Sequence, residues 1–383
     1  MPRVAIIGAG PSGCYVAQAL AKSRPDAEIT IFDALPVPYG LIRYGVAADH
    51  QGTKSVIRQF ERLFERQGIG FAGHVTLGRD VTLEALRDAY DAVVLATGLS
   101  QDRGLGIAGQ DLPGVFGSGA VTRAWNGFPG EPVPQIGRRV VVIGNGNVAV
   151  DLVRILAKRP DEFHGSDMAL DPGAGVEEIT IVGRSRAEAA KFDPVMLKEL
   201  GRLESCAIAV RDLTGEGKIV EALQAIDGHA PEGARKRLTF RFGLVPTRIL
   251  GSDRVEGVAF ADGTSLEADT VLTAIGFDGA PGWAPSEDGV LGPGLYAVGW
   301  VRRGPRGTIP ENRADAQTIA ARIAADLPQG PGRPGLVLAG ATDYAGWLRI
   351  DAAERAAAPE GRVRAKMTDL AGMLRLARQT GEH

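Results

Sequence analysis

Residues 3–15 read RVAIIGAGPSGCY, and residues 139–151 repeat the same pattern as RVVVIGNGNVAVD. Each stretch is a run of β-branched apolar residues, followed by a glycine-rich turn and then by residues with helical spacing. Strands that are apolar along their whole length are typical of parallel sheets covered by helices on both faces. The duplication therefore predicts two doubly wound α/β units.

A second pair of similar segments indicates where each unit closes. Residues 91–98 read DAVVLATG and residues 269–276 read DTVLTAIG, and each is an apolar strand that ends in glycine. Residues 294–325 then contain a strand and a long alanine-rich helix that starts near Asn312, but no third glycine-rich turn. We therefore expect two Rossmann-like dinucleotide-binding domains, the second inserted into the first. The expected boundaries are 1–101 and 279–383 for the first domain, which includes the C-terminal helices, and 102–278 for the inserted domain.

Composition and charge exclude several classes of function. The 383 residues carry a formal net charge of -3, which gives no bulk electrostatic reason to expect binding to nucleic acid or to an anionic membrane. No apolar run approaches the roughly 18 residues that a membrane helix needs. The first apolar run begins at Val4, which leaves no room for a signal peptide, so we expect a cytoplasmic protein. The two cysteines, Cys14 and Cys206, form no C-x-x-C motif, so we expect neither disulfides nor a metal site.

The first turn has the G-x-G-x-x-G spacing of a dinucleotide-binding loop, with Gly8, Gly10 and Gly13. Gly8 permits the tight turn, Gly10 lets the backbone approach a pyrophosphate, and Gly13 lets the helix pack on the strand. The start of the helix, with Pro11 and Ser12, supplies N–H groups and partial positive charge for phosphates. A tight turn without a ligand is the alternative interpretation.

The residues that follow the next strand of each unit differ in charge. In the first unit EITIF is followed by Asp33, whose carboxylate can accept both hydroxyls of an adenosine ribose. In the second unit the turn GNGNVA contains Gly144, Gly146 and Ala149, and the strand at 177–183 is followed by Arg184, Ser185 and Arg186. A guanidinium forms charge-assisted hydrogen bonds with a 2′-phosphate, which an acid would repel. The pattern predicts FAD at the first loop and NADP(H) at the second.

Two points about these arginines stay open. Arg184 could instead be a solvated arginine at the end of a strand. Arg186 lies on the same side as Arg184 if the strand continues, because alternate strand residues face the same way.

Several segments of the chain resemble the adrenodoxin reductase family, which are ferredoxin–NADP reductases with a glutathione-reductase-like fold. Glycine followed by tryptophan at Gly299 and Trp300 is typical of this family, whereas the wider superfamily usually has Gly-Asp. The resemblance extends from the N-terminus to LAGMLRLAR. Its specific parts are VPYGLIRYGVAADHQGTKSV (37–56), LPGVF with WNG (112–127), GNGNVAVDLVRIL (144–156) and KELGRL (198–203), and the most specific part is LYAVGWVRRGPRGTIPENRADA (295–316).

The resemblance implies roles for individual residues. His50 and Asp151 match the family's flavin-side histidine and aspartate and are expected to be catalytic, by ordering water, tuning flavin protonation or orienting the nicotinamide. From the residues alone they could equally be a surface histidine and a helix N-terminal aspartate. The expected FAD contacts, besides the first loop, are Gly40, Leu41, Thr97, Gly98, Trp300, Gly307, Thr308 and Ile309. The expected NADP(H) contacts, besides the second loop, are Asn147, Val148, Arg184, Ser185, Arg186, Glu199 and Gly307.

The resemblance implies hydride transfer from NADPH to FAD and single-electron transfer to a ferredoxin-type iron–sulfur protein. Because the chain has no cysteine pair, electrons must leave the flavin directly for an external acceptor. The alternatives are a diaphorase or quinone reductase without a protein partner, and a non-catalytic electron-relay subunit. The stretch at 206–234 is shorter than is usual in the family, which leaves the identity of the acceptor open. A monomer is expected.

Two basic clusters allow more than one interpretation. The first could dock an acidic ferredoxin or be a solvated face, since complementary charge mainly speeds association. The second could neutralise the pyrophosphate. The clusters are Arg235, Lys236, Arg237 and Arg241, and Arg302, Arg303 and Arg306.

Overall fold

The structure is a computed structural model that describes residues 1–279, 287–305 and 309–379. Its strands are β1 (Arg3–Ile7), β2 (Glu28–Phe32), β3 (Gly70–Ala72), β4 (Ala92–Leu95), β5 (Val115–Gly117), β6 (Arg139–Ile143), β7 (Glu178–Gly183), β8 (Cys206–Val210), β9 (Lys236–Phe242), β10 (Pro246–Leu250), β11 (Gly257–Phe260), β12 (Ser265–Glu267), β13 (Thr270–Thr273), β14 (Val290–Gly292) and β15 (Leu295–Ala297).

The helices alternate with these strands for much of the chain. They are α1 (Pro11–Ser23), α2 (Gly40–Tyr44), α3 (Gln51–Lys54), α4 (Ile57–Arg66), α5 (Leu83–Ala89), α6 (Ser118–Trp125), α7 (Asn147–Ala157), α8 (Pro194–Leu200), α9 (Lys218–Ile226), α10 (Trp300–Arg303), α11 (Ile309–Asp326), α12 (Tyr344–Ala356) and α13 (Leu370–Ala377), with short 3-10 helices at Pro160–Phe163 and Ala187–Ala189. No helix in the described part of the chain has the length and apolar character needed to cross a membrane.

The first sheet has the strand order β14-β15-β4-β1-β2-β3. β1 pairs in parallel with both β2 and β4, so Val4 lies between Ile29 and Ala92. Val4 and Ala5 face opposite sides of the sheet and are both completely buried, as is expected where both faces of a parallel sheet are covered. The apolar run that the sequence predicts as a central strand therefore has that position.

The second sheet has the order β5-β13-β6-β7-β9-β8, and its five pairings are all parallel. A small antiparallel sheet of β10, β11 and β12 belongs to the same unit, and Ile249 and Val258 are buried in a common apolar cluster with Val141 and Val271 of the parallel sheet. Both predicted units are present, which confirms the α/β fold class.

The order of the strands along the chain shows the insertion. β1 to β4 belong to the first sheet, β5 to β13 form the inserted unit, and β14 and β15 return to the first sheet beside β4. The alanine-rich helix α11 packs against α1 and begins at Ile309, three residues before the predicted start. The boundaries at 101 and 278 stay a prediction.

The segment between α12 and α13 connects the two units. It contacts the loop that follows α7, where the Val363 amide donates to the Ser166 carbonyl at 3.0 Å. Further along, the Lys366 ammonium lies 2.9 Å from a carboxylate oxygen of Asp167, and both side chains are almost completely buried. The inserted unit is thus held by a C-terminal segment of the first unit as well as by the two chain crossings.

Candidate active site

The glycines of the first turn differ in what surrounds them. A Cβ atom on Gly8 would lie 2.4 Å from the Ala96 carbonyl oxygen, and one on Gly13 would lie 2.1 Å from the Gly8 carbonyl oxygen, so packing excludes a side chain at both. Gly10 has extended backbone, and a Cβ there would meet no described atom within 4 Å. Open space therefore lies at the N-terminus of α1, as a pyrophosphate site requires.

Asp33 is held beside this turn by two backbone amides. Its Oδ2 accepts from the Ala9 N–H at 2.8 Å and its Oδ1 from the Leu35 N–H at 3.0 Å. Burial raises the pKa of Asp33 to about 6, although both hydrogen bonds oppose that rise. Each carboxylate oxygen can accept a further hydrogen bond, so the position fits the two hydroxyls of a ribose.

Other predicted FAD contacts surround the same turn. A Cβ on Gly40 would lie 3.1 Å from the Gly10 Cα, and one on Gly8 would lie 3.1 Å from the Thr97 amide nitrogen. Gly98, the next residue, has a φ of 68°, which favours glycine. Leu41, on α2, is one of the exposed large apolar residues. The chain therefore places segments from α2 and from the end of β4 next to the first turn.

The late strand β15 leads back to the start of α1. Gly299 follows it with a φ of 70°, and a Cβ there would lie 2.2 Å from the Ser12 Oγ. Trp300 begins α10, and its ring centroid lies 5.4 Å from that of Phe277. The indole Nε1 of Trp300 is buried and has no hydrogen-bond partner among the described residues. A buried, unpaired donor at this position fits an acceptor atom of a bound cofactor.

The second turn, like the first, has one glycine that is packed against the backbone and one that faces open space. A Cβ on Gly144 would lie 2.2 Å from the Ala274 carbonyl oxygen, whereas one on Gly146 would meet no described atom within 4 Å. Between them, the amide nitrogen and oxygen of Asn145 are buried without a partner in the described residues. The second turn therefore has open space and unsatisfied polar atoms, which fits a dinucleotide.

Two predicted NADP(H) contacts begin α7. The Oδ1 of Asn147 accepts from the Asp193 N–H at 2.7 Å, so this side chain already ties the turn to the start of α8. Val148 is exposed at the same end of the helix. Asn147 thus positions the loop, and Val148 is accessible to a ligand.

The arginines after β7 do not continue the strand. β7 ends at Gly183 and a bend follows, so the strand does not continue to Arg186 and the alternation of strand residues does not apply to it. Arg184 and Arg186 are both exposed, and Ser185 is half-buried. Neither guanidinium has an ion pair or hydrogen bond with any other residue that the structure describes. Two unpaired cations next to the second turn fit a phosphate.

His50 lies at one of the places where the two units meet. It directly precedes α3 in the first unit, and its Nδ1 lies 3.6 Å from the Asp151 Oδ1 on α7. Its Nε2 lies 3.2 Å from the Glu199 Oε2 on α8. Burial raises the pKa of Asp151, and the charges of Arg154 and His50 oppose that rise. The structure thus brings three of the predicted residues together, with a carboxylate near each ring nitrogen.

The sequence interpretation missed three charged residues next to this group. The Arg154 Nε and Nη2 donate to both carboxylate oxygens of Asp49 at 3.0 and 2.8 Å, and its Nη1 donates to Asp151 at 2.7 Å. The Lys158 Nζ donates to Asp49 at 2.7 Å. The i,i+3 spacing of Asp151 and Arg154 on α7, with Lys158 directly after the helix, could have indicated a group of ion pairs.

The remaining predicted residues lie at the start of α11. Gly307 and Thr308 lie outside the described residues, as do Arg306 and the side chain of Ile309. Within the described part, Arg302 and Arg303 both pair with the buried carboxylate of Asp315. Both guanidinium groups therefore have an acidic partner within the protein, and their role at the pyrophosphate stays a prediction.

The first basic cluster is also largely paired within the protein. The Lys236 Nζ donates to the carbonyls of Leu156 and Lys158 at the end of α7, at 2.8 and 2.9 Å. Arg237 pairs with Glu178, and Arg241 pairs with Asp212. The expected exposed basic face was wrong for Lys236, and for Arg237 and Arg241 the positive charge is compensated by a neighbouring acid.

Comparison with known proteins places these features in context. Residues 2–201 match the family described as pyridine nucleotide-disulphide oxidoreductase. The chain is 41% identical to cindoxin reductase of Citrobacter braakii, over 98% of this chain and 91% of that protein. It is 32% identical to NADPH-ferredoxin reductase FprA of Mycobacterium tuberculosis, over 97% and 98%. A solved structure of that FprA in complex with NADPH superposes with a TM-score of 0.89 at 31% identity, covering 99% of this chain and 100% of the other.

Proposed function

Since the chain belongs to the pyridine nucleotide-disulphide oxidoreductase family, we propose that it transfers hydride from NADPH to FAD and single electrons from FAD to a ferredoxin-type iron–sulfur protein. The predicted resemblance, the oxidoreductase class and the cofactor pair of FAD and NADP(H) are confirmed. The observation that carries the proposal is the contact of His50 from the first unit with Glu199 from the second. This contact joins the domains that carry the two dinucleotide turns.

The two sites divide the work of binding. Gly10 leaves the first turn open for the FAD pyrophosphate, and Asp33 accepts the ribose hydroxyls. Gly146 leaves the second turn open for NADP(H), and Arg184 with Arg186 holds the 2′-phosphate. Because the phosphate is remote from the hydride, these arginines set affinity for the coenzyme more than the rate of transfer.

FAD, when bound, supplies a centre that takes up two electrons as a hydride and releases them one at a time. His50 and Asp151 are the catalytic pair in this proposal. The imidazole, with a carboxylate near each nitrogen, holds a proton and a fixed ring orientation where the two units meet. Its role is to order the groups around the nicotinamide, since hydride transfer needs no general base.

The cysteines support direct electron transfer from the flavin to an external acceptor. Cys14 and Cys206 are both buried, and burial raises the pKa of both thiols, that of Cys206 to about 12. Neither thiol is therefore ionised and reactive near neutral pH. The chain has no other cysteine, so it contains no dithiol to carry electrons onward.

The proposed electron acceptor, a ferredoxin-type protein, is based on the names of the similar proteins. The FprA match is named as a reductase of ferredoxin, and the Citrobacter braakii match as a reductase of cindoxin. Anaerobic mixing with NADPH tests the first half of the proposal, because a non-catalytic relay subunit would leave the flavin oxidised. Cytochrome c reduction with and without added ferredoxin tests the second half, because a diaphorase would show no dependence on ferredoxin.

A further inference from the structure

One guanidinium connects all the acids around His50. The Arg154 side chain is 3% exposed and that of Asp49 is 4% exposed, so this ion pair is almost completely buried. Two nitrogens of Arg154 bind Asp49, and the third donates to the Asp151 carboxylate and lies 3.8 Å from the Glu199 Oε2. The planar fork of arginine makes such a set of contacts directional.

These same acids determine the surroundings of the imidazole. Asp49 is the residue before His50, and Asp151 and Glu199 lie near its two ring nitrogens. The Asp49 side chain is held by Arg154 of α7 and by Lys158, the residue directly after that helix. The backbone that carries His50 and the two carboxylates that face it are therefore anchored to one helix of the inserted unit.

We propose that Arg154 and Asp49 are positioning residues, which hold His50 in one orientation and hold the carboxylate of Asp151 beside it during hydride transfer. The inference rests on the proposed function and adds to it a pair of residues with no expected contact to either cofactor. Arg154 acts through Asp151 and Glu199, and Asp49 acts through the backbone that it shares with His50.

The charges around Asp151 explain why the positive charge of Arg154 is important for the state of this carboxylate. The charged groups around Asp151 are Arg154 on the same helix, His50 and Asp49 from the first unit, and Glu199 across Arg154. Burial and Asp49 raise the pKa of Asp151, while Arg154 and His50 lower it. Removing the arginine charge raises the pKa of Asp151 further, so this carboxylate takes up a proton at a higher pH. Asp49 keeps its Lys158 partner, so the substitution leaves that acid paired.

The test is the pH profile of flavin reduction by NADPH, measured by stopped flow without any acceptor. Arg154→Met removes the charge at similar length, and Arg154→Lys restores the charge with a narrower set of contacts. We expect the acidic limb of the profile to move upward by about one pH unit or more in Arg154→Met, because a nearby opposite charge usually lowers a carboxyl pKa by about 1–3 units. In Arg154→Lys the acidic limb of the pH profile should lie close to its position in the unaltered protein.

Asp167→Asn is the matched control. It weakens another buried ion pair between the units, in which the Asp167 carboxylate binds Lys54 and Lys366 at 2.9 Å. This carboxylate has no ion pair with Asp49, His50, Asp151 or Glu199. The backbone amide of Asp167, which donates to the Ala48 carbonyl at 3.2 Å, is unchanged by the substitution. It should lower the unfolding midpoint and leave the pH profile unchanged. The proposal is overturned if Arg154→Met retains FAD with an unchanged profile, or if Asp167→Asn shifts the profile equally.

Two further measurements distinguish a failure of the positioning proposal from a variant that does not fold and from a failure of the proposed function. If Arg154→Met does not fold, Arg154→Lys and Asp49→Asn are compared in the same way, and an unchanged profile in both overturns the proposal. Failure of the unaltered protein to be reduced by NADPH contradicts the proposed function instead. In that case the NMR titration of the His50 imidazole in the same variants still tests the positioning, since it needs no NADPH.

Discussion

The Nε2 atom of His50 lies 3.2 Å from the Oε2 atom of Glu199, although 149 positions separate the two residues in the sequence. One precedes α3 in the first unit, and the other lies near the end of α8 in the inserted unit. The contact therefore exists only when the two units are correctly docked. The histidine therefore lies between the unit that carries the first glycine turn and the unit that carries the second.

Glu199→Gln tests whether the charge at this contact matters. The amide keeps the shape and an acceptor oxygen but loses the negative charge near the ring. Because the Glu199 side chain is 36% exposed, we expect only a moderate effect, about tenfold slower flavin reduction by NADPH or about 1.4 kcal/mol. Glu204→Gln, at an exposed ion pair with Arg159, is the matched control and should react at the normal rate. A normal rate in Glu199→Gln as well would remove the glutamate from the proposal.

Alanine at the two open glycines should separate the cofactor sites. Gly10→Ala and Gly146→Ala each place a methyl group where the protein has space. We expect Gly10→Ala to fold and lose FAD, and Gly146→Ala to stay yellow but show a much higher KM for NADPH. Absorbance spectra and thermal unfolding measure both.

Gly13→Ala is the contrasting variant, because its Cβ would lie 2.1 Å from a backbone oxygen. It should destabilise the fold whether or not FAD is present. If Gly10→Ala binds FAD as well as the unaltered protein, the close approach of this backbone to the pyrophosphate is wrong.

We expect coenzyme preference to depend on the exposed arginines after β7, Arg184 and Arg186. Arg184→Ala should raise the KM for NADPH by roughly ten- to a hundredfold, the loss expected for one charge-assisted contact of about 1.5–3 kcal/mol. The KM for NADH should hardly change, since NADH has no 2′-phosphate. Arg186→Ala decides whether the second arginine shares this role, through a loss of similar size. Arg138→Ala, at an exposed arginine paired with Glu177, is the control. Equal use of NADH and NADPH by the unaltered protein would contradict the role of Arg184.

FAD retention should depend on pH through Asp33. Its pKa is raised to about 6, so the bare protein gains stability from this group as the pH falls through that value and the buried charge is neutralised. In the proposed site FAD requires the opposite state, because the ribose hydroxyls would donate to the ionised carboxylate of Asp33. FAD affinity should therefore fall as the pH drops below about 6. Flavin fluorescence between pH about 5 and about 8 measures release, and Asp33→Asn should bind FAD weakly at every pH. A pH-independent affinity in the unaltered protein would show that Asp33 does not bind as a carboxylate.

Much of the fold could be predicted because its signals are local. The strand, turn and helix around Gly8 and around Gly144 lie within about a dozen residues each. Close backbone contacts at these turns exclude a side chain, so glycines occur there at a fixed spacing. The return of β15 to the first sheet was also predictable, since that segment has no glycine turn of its own.

The ion pairs around His50 could not be predicted, because they join residues that are far apart in the sequence and meet only after the two units have packed together. Nothing near Asp49 in the sequence indicates that Arg154 and Lys158 will neutralise it. Lys236 has a basic neighbourhood in the sequence, yet its ammonium caps the last carbonyls of α7, which come close only after β9 has joined the sheet. The direction of Arg186 depends on the bend after Gly183, which the alternation of a strand does not describe.

The most direct test of the account is the rate of cytochrome c reduction by NADPH as a function of added ferredoxin. The FAD-loaded protein should first be shown to lose its flavin absorbance on anaerobic mixing with NADPH. We then expect a cytochrome c reduction rate that is low without ferredoxin and rises to saturation as ferredoxin is added. A flavin that NADPH reduces, but a cytochrome c rate that stays the same at every ferredoxin concentration, would contradict the proposed transfer of electrons to a ferredoxin-type protein.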